Sequence, residues 1–420
     1  MTDANSHVLY VVMNGRVIGD IQRTSRRRMR LRYADHLPGR FTPLSVSMQG
    51  PMGRYRESAL APWLEGLLPD RPETLRQWRR RFGIADDNSS FSLLRHVGED
   101  VAGAAQFVRP DRLDFIQERQ GDLAELGSTQ IAEMLRRARA DLPTSATDDT
   151  SGKFSLAGAQ AKIALHRTVD GWSDPVGAIP STHIIKPPIP NMLDQDLVEA
   201  VTLRTAADLG LRTASCTIEE FDDERAIVVA RYDRIRRDDQ WQRVHQEDMC
   251  QAMAIWPIHK YQSQGGPGAE VIADLIRARS HRPEEDNRRF AQALVFNWLI
   301  CGTDAHARNY SLLLSGESVR LAPLYDLNSH LAYSDGSGND LSMSMNKQFR
   351  AEQITVTDWI RFAPAIHVEP DWLRDEIDRQ SGGLMDVMTK ATQHDDIARY
   401  DSPTITRLLS NTERWIDRML

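Results

Sequence analysis

The stretch ALVFNWLICGTDAHARNYS, Ala293 to Ser311, decides how the chain is read. Its apolar first half suits a buried helix, and the run stops at Gly302. One short turn then gathers Asp304, His306, Arg308 and Asn309, all able to bind a charged ligand. Thr303 and Asp304 alone would be ordinary capping residues. A further acceptor, Asp326, follows in LAPLYDLNSH. The intervening NYSLLLSGESVRLAPLYD reads as strand, turn, strand, a hairpin that would return Asp326 to the side of the loop it left.

An amide oxygen and a carboxylate can hold Mg²⁺ while a separate carboxylate stays free. Phosphoryl transfer needs that arrangement, because its transition state is stabilised mainly by positioning and charge. Protein kinases space the catalytic Asp and the metal-binding Asn as D-x-x-x-x-N, and DAHARN supplies that interval. Upstream, Lys186 ends the strand-like HIIK and is a candidate to hold phosphate, with Glu199 on the following helix able to pair with it. SLAGAQAK offers the small residues Ala157, Gly158 and Ala159, whose backbone N–H groups can approach phosphate, with Lys162 as a further cation. With a single glycine it is neither a Walker A loop nor a G-x-G-x-x-G loop. Small-residue loop, strand Lys, helix Glu, then Asp, Asn and Asp is the order of parts in a kinase.

Around these motifs the chain divides. HVLYVVM and RVIGDIQ flank Asn14-Gly15, a strong hairpin signal. MRLRY and LSVSM read as further strands, and ESALAPWLEGLL and PETLRQWRRRF as helices, giving a small α+β unit over 1–110. Over 111–153 an amphipathic helix capped by Ser128 precedes LPTSATDDTSGK, a polar loop or linker. A β-rich lobe follows over 154–245, with a helix from Asp194 to Leu209 stopped by Gly210. Patterns over 246–420 are almost all helical. The expected fold is α+β and two-lobed, like a protein kinase: a β-rich N-terminal lobe with an extra N-terminal α+β subdomain, and an all-α C-terminal lobe. The cleft between lobes is where a ligand is expected.

Composition bounds the remaining choices. With 420 residues, 41% hydrophobic and 26% charged, the chain is long enough for two or three packed units and is not disordered throughout. The net charge of −7 argues against indiscriminate coating of nucleic acid, and the basic runs RTSRRRMRLR and WRRRF read as solvated faces. Cys216, Cys250 and Cys301 lie far apart and suggest neither disulfides nor a zinc site. MTDANSHV has no signal-peptide character and no long apolar run follows, so a cytoplasmic protein with no membrane role is expected. His306 reads more readily as a residue that holds the turn's shape than as a ligand. His245, His259 and His330 share no metal-ligand spacing. A metal-dependent hydrolase built on Asp304, His306 and Asp326 gives the pair Lys186 and Glu199 no task. A kinase-shaped scaffold that docks an antitoxin on DNA is the other alternative.

In combination SLAGAQAK, THIIKP, VVARYDR, GTDAHARNYS and LAPLYDLNS, with LAPWLEGLLPD and SLLRHVGEDVAGAAQF upstream, resemble the HipA family of serine/threonine protein kinases, the toxins of bacterial toxin–antitoxin pairs. The resemblance implies that Asp304 is the catalytic base, that Asn309 and Asp326 bind Mg²⁺, and that Lys186 binds the phosphates of ATP. It makes Ala157, Gly158, Ala159, Gln160 and Lys162 the nucleotide loop, Arg231 and Tyr232 the hinge near adenine, and His306, Arg308 and Tyr325 contacts to ATP. Ser155 matches the family's autophosphorylated serine. The implied partners are a protein substrate in translation, such as an aminoacyl-tRNA synthetase, and a HipB-like helix-turn-helix antitoxin, with operator DNA reached through it. Ala161, Ala230 and Ala305 depart from the family pattern, where Glu, an acidic residue and Gly are usual; none removes a catalytic group.

Overall fold

Asn14 and Gly15 take φ of 48° and 81°, the left-handed pair that a two-residue hairpin requires, and Met13 pairs with Arg16 across the turn. From this hairpin grows a five-stranded antiparallel sheet in the order Arg54–Arg56, Met29–Tyr33, Arg16–Arg23, Val8–Met13, Ala105–Val108. The helices Glu57–Glu65 and Ser90–Val97 bury Trp63, Leu64, Phe91 and Leu94 against it. The computed structural model of the chain describes residues 7–24, 28–50, 54–84, 89–140 and 155–420. The polar stretch LPTSATDDTSGK lies outside the described residues.

LSVSM, expected as a strand, is instead a turn. Leu44, Val46 and Met48 are all buried, as a strand's alternation would ask, but their backbone is satisfied elsewhere. The Tyr33 hydroxyl accepts from Leu44 N at 2.8 Å and donates to Met48 O at 2.5 Å, and Val46 N donates to the Glu247 carboxylate at 2.8 Å. The segment is a plug between the first unit and the rest of the chain.

A six-stranded sheet follows, in the order Cys216–Phe221, Glu224–Ala230, His183–Lys186, Ile163–Arg167, Trp172–Gly177, Gly121–Leu126. Its last two strands were not expected, because their polar and Gly-containing sequences carry little alternation. The helix Ser128–Arg139 packs Ile131, Met134 and Leu135 on this sheet. Its N-cap is Gly127; Ser128 is the first helical residue, and its hydroxyl accepts from Asp222 N. The helix Gln195–Asp208 lies on the sheet's other side, ends before Gly210 at φ 83°, and also packs on the helix Pro370–Thr392.

The second half is built on Ala269–Arg279, Pro283–Leu299, Pro370–Thr392 and Pro403–Met419, which share the largest core of the molecule. It is not purely helical. His245–Asp248, Ser311–Ser315 and Ser318–Leu321 form a three-stranded sheet, and Asp340–Met345 pairs with Gln348–Arg350. The expected hairpin after the polar turn is therefore present. No helix among the described residues is long and apolar enough to cross a membrane.

Candidate active site

The apolar helix Pro283–Leu299 ends one turn before the polar residues. Cys301, at φ 49°, rather than Gly302, takes the left-handed conformation at its end. Gly302 is needed for a different reason: a Cβ there would come within 2.5 Å of Asn297 Oδ1. This close approach places Asp304 at the surface and buries His306, Arg308 and Asn309 behind it.

Lys186, at the end of its strand, is 7% exposed. Its Nζ donates to Glu199 Oε1 at 2.8 Å and to Asp326 Oδ1 at 3.0 Å, joining residues 140 positions apart. Burial opposes the ammonium charge, but the carboxylates of Asp326 and Glu199 outweigh it and keep Lys186 protonated. Asp326 is held down to about 2 by Lys186 and Lys162 despite its own burial. The helix that carries Glu199 also fixes the Asp326 loop, since the Thr202 hydroxyl donates to Leu327 O at 2.5 Å. Asp326 itself sits at φ 56°, and its side chain keeps 40% exposure. The Asn309 amide donates to Asp326 O at 3.4 Å, bringing the two expected metal ligands together. One carboxylate and one amide oxygen suit Mg²⁺, which takes its remaining ligands from water and phosphate. Among the described residues no group of three or more His, Cys, Asp or Glu is placed to hold a metal ion.

Ser155 to Lys162 form the loop over this group. Gly158 has φ 106°, a conformation that favours glycine, and a Cβ there would displace the Lys162 ammonium, 2.7 Å away. Lys162 donates to Ala157 O at 2.5 Å, and burial beside Lys186 pushes its ammonium down to about 8. Gln160 donates to Pro187 O at 3.1 Å and to Gln195 Oε1 at 2.9 Å, and the preceding Ala159 carries only a methyl group. Ser155 is fully buried; its hydroxyl donates to Leu67 O at 2.7 Å and its N–H to Asp100 O at 3.0 Å.

Asp304 accepts from the Tyr261 hydroxyl at 2.6 Å. The His306 ring packs edge-on against Tyr261, with centroids 5.0 Å apart. Burial pushes that imidazole down to about 4, so it is neutral, and its Nδ1 has no hydrogen-bond partner. The His306 backbone ties the turn, its N–H donating to Asp304 O at 2.8 Å and its carbonyl accepting from Asn309 N at 2.9 Å, while the buried Nδ1 is left unpaired.

Two expected nucleotide contacts have their side chains engaged elsewhere. Arg231 donates to both oxygens of Asp233 at 2.8–3.0 Å, to Ser181 Oγ at 2.9 Å and to Val101 O at 2.8 Å. Arg308 donates to Asp248 Oδ2 at 3.0 Å, to Gly66 O at 2.8 Å and to Asp70. Both guanidiniums face the first unit, so only their backbones remain for a nucleotide. Tyr325 donates to Arg308 O at 2.7 Å and lies 5.7 Å, ring to ring, from Tyr232. Tyr232 in turn donates to Gln246. Sequence reading missed Gln195, Tyr261, Lys260 and Asp70. Asp70 ends the quoted stretch LAPWLEGLLPD and Gln195 lies in the helix read from Asp194 to Leu209, but neither was singled out, and Tyr261 and Lys260 lie in no motif.

The HipA N-terminal domain profile matches residues 9–108, and that of the HipA-like C-terminal domain matches residues 154–388. Y4mE of Sinorhizobium fredii, whose designation as a kinase is itself provisional, is 33% identical over 85% of both chains. The serine/threonine-protein kinase toxin HipA of Shewanella oneidensis is 26% identical over 87% of this chain and 86% of its own. In fold, the chain matches a component of the Shewanella oneidensis HipA, HipB and operator DNA complex with a TM-score of 0.81, 23% identity and 97% coverage of both chains. By sequence profile and relatives, in agreement with its two-lobed fold, the chain belongs to the HipA family of serine/threonine protein kinases.

Proposed function

We propose that this kinase transfers the γ-phosphate of ATP to a serine or threonine of a translation component, such as an aminoacyl-tRNA synthetase, and acts as the toxin of a toxin–antitoxin pair. The observation that carries the catalytic part is the Lys186 bridge: one buried ammonium holds a carboxylate from each lobe, Glu199 and Asp326, at 2.8 and 3.0 Å. Lys186, and Lys162 in the loop above, meet the phosphate charge. The backbone of Ala157 to Gln160 lies against it, and His306 offers its unpaired nitrogen. Asn309 and Asp326 are the residues that would hold Mg²⁺, which when bound neutralises charge on the phosphates. Asp304, exposed and oriented by Tyr261, accepts the proton of the attacking hydroxyl.

Ser155 is the proposed autophosphorylation site. Its buried hydroxyl must leave Leu67 before it can react, and a dianionic phosphate does not fit back into a fully enclosed space. The Shewanella oneidensis assembly of HipA with HipB and operator DNA supports a HipB-like helix-turn-helix antitoxin and, through it, operator DNA as the proposed partners.

The test is incubation with labelled ATP and Mg²⁺, alone and with bacterial extract, followed by mass spectrometry. Phosphate is expected at Ser155 and on extract protein, and Asp304→Ala should lose at least about 100-fold in transfer. A wild-type chain that transfers to neither would leave the non-catalytic scaffold as the reading.

A further inference from the structure

The segment after the helix Glu57–Glu65 reaches from the first unit into the active site, and Asp70 is its tip. Pro69 bridges to Gly158, and the Asp70 N–H donates to Gly158 O at 3.2 Å, on the loop above Lys186. The side chain does something separate. One oxygen takes Arg308, which lies between Asp304 and Asn309; the other takes Lys260 Nζ at 2.9 Å. Lys260 precedes Tyr261, the residue that donates to Asp304 at 2.6 Å, and Lys260 O accepts from Ala307 N at 3.3 Å. A ring of contacts thus closes on one carboxylate: Asp70, Lys260, Tyr261, Asp304, Arg308 and back to Asp70.

We propose that Asp70 is a positioning residue for phosphoryl transfer, through which the first unit fixes the catalytic loop against the Lys260–Tyr261 segment. The inference rests on the kinase reading above. The two cations would otherwise face each other with no charge between them. Asp70 and Lys260 side chains are each 17% exposed and Arg308 only 4%, so the interaction is poorly screened. Burial works against the Asp70 charge, yet Arg308 and Lys260 hold its carboxyl below the usual range, so it is ionised at neutral pH. Neutralising Asp70 need not unfold the loop, because Arg308 keeps Asp248 and Gly66 O. It frees Lys260 and lets Tyr261 drift, and small misplacements of reacting groups cost orders of magnitude in rate. Asp70 touches neither Glu199 nor Asp326, and its bond to the nucleotide loop uses backbone that a substitution retains.

The experiment measures transfer of labelled phosphate from ATP with Mg²⁺ to the full chain itself and to bacterial extract, varying ATP. Asp70→Asn should lower the saturating rate about 30-fold while the half-saturating ATP concentration stays within about twofold. Asp70→Glu should recover part of that rate. Asp20→Asn, which breaks the ion pair with Arg32 elsewhere in the same unit, should leave the rate unchanged. Lys260→Met cuts the ring from the other side and decides the matter if Asp70→Asn does not fold; about a tenfold loss is expected. Active wild type, inactive Asp304→Ala and wild-type rates in Asp70→Asn or Lys260→Met would overturn this proposal alone. A rate loss that appears only as weaker ATP saturation, or that Asp70→Glu does not relieve, would overturn it too. An inactive wild type would remove the kinase reading and this inference with it.

Discussion

Two buried charge clusters stand a short distance apart and are built in opposite ways. Asp100 and Asp233 meet Arg231, Arg234 and Arg243 between the first unit and the β-rich lobe, and every one of these side chains is at most 8% exposed. Lys186, Glu199 and Asp326 include a carboxylate that is 40% exposed. In the first cluster the charges are enclosed with one another and with backbone and hydroxyl groups, and Asp100 is held far below the ordinary carboxylate range by the three arginines against its own burial. In the second, one oxygen-bearing side chain still faces open space. Buried ion pairs are weak signs of function by themselves; a buried pair with one member reaching a cleft is a stronger one.

The sharpest test of that contrast exchanges the losses. Asp100→Asn removes the carboxylate shared by three guanidiniums, leaving Asp233 for Arg231 and Arg234 and no carboxylate for Arg243, and should cost about 3–5 kcal/mol in urea unfolding. Lys186→Met should abolish measurable phosphate transfer with a smaller change in stability, because burial already pushes Glu199 up and lets it take a proton. Equal stability losses in the two variants would erase the distinction.

A middle-sized effect comes from two histidines, one beside each region. His245, at the junction with Leu44, and His306, in the catalytic loop, are both pushed down to about 4 by burial. Unfolded, each takes a proton near pH 6.5. Their folded pKa values are depressed, so the folded state is fully favoured above pH 6.5 and loses stability as pH falls from there toward 4. Thermal midpoints at pH 8, 6.5 and 5 should show a drop only below 6.5, and His306→Gln should remove part of it. The smallest effect belongs to Ser155→Ala. It deletes one buried hydrogen bond, costs about 1 kcal/mol, and should remove self-phosphorylation while transfer to extract persists.

What could be read in the sequence was local. Asn14-Gly15 needed only its own turn chemistry and folds as the expected hairpin, and DAHARN could be picked out by its five-residue interval alone. LSVSM had a strand's alternation but was claimed by Tyr33 and Glu247, 201 positions beyond Val46. Arg308 carried the right charge in the right loop, yet a charge buried to this degree must find its partners nearby, and they come from Asp70 and Asp248. Asp70 and Lys260 meet across 190 positions, which no local pattern announces. Long-range pairing is where the sequence reading stopped, for charges such as Asp70 and Lys260 and for segments such as LSVSM alike.

The reach of Asp70 across 238 positions to Arg308 also sets a timetable for the nascent chain. At translation speeds of 5–20 residues per second, roughly 10–50 s separate the emergence of these two residues from the ribosome. Trp63 waits 184 positions for Glu247, and the Asp70 carboxylate 190 for Lys260 and 238 for Arg308. On the proposed role of Asp70, a working catalytic loop waits until the part of the chain made first has closed over the part made later.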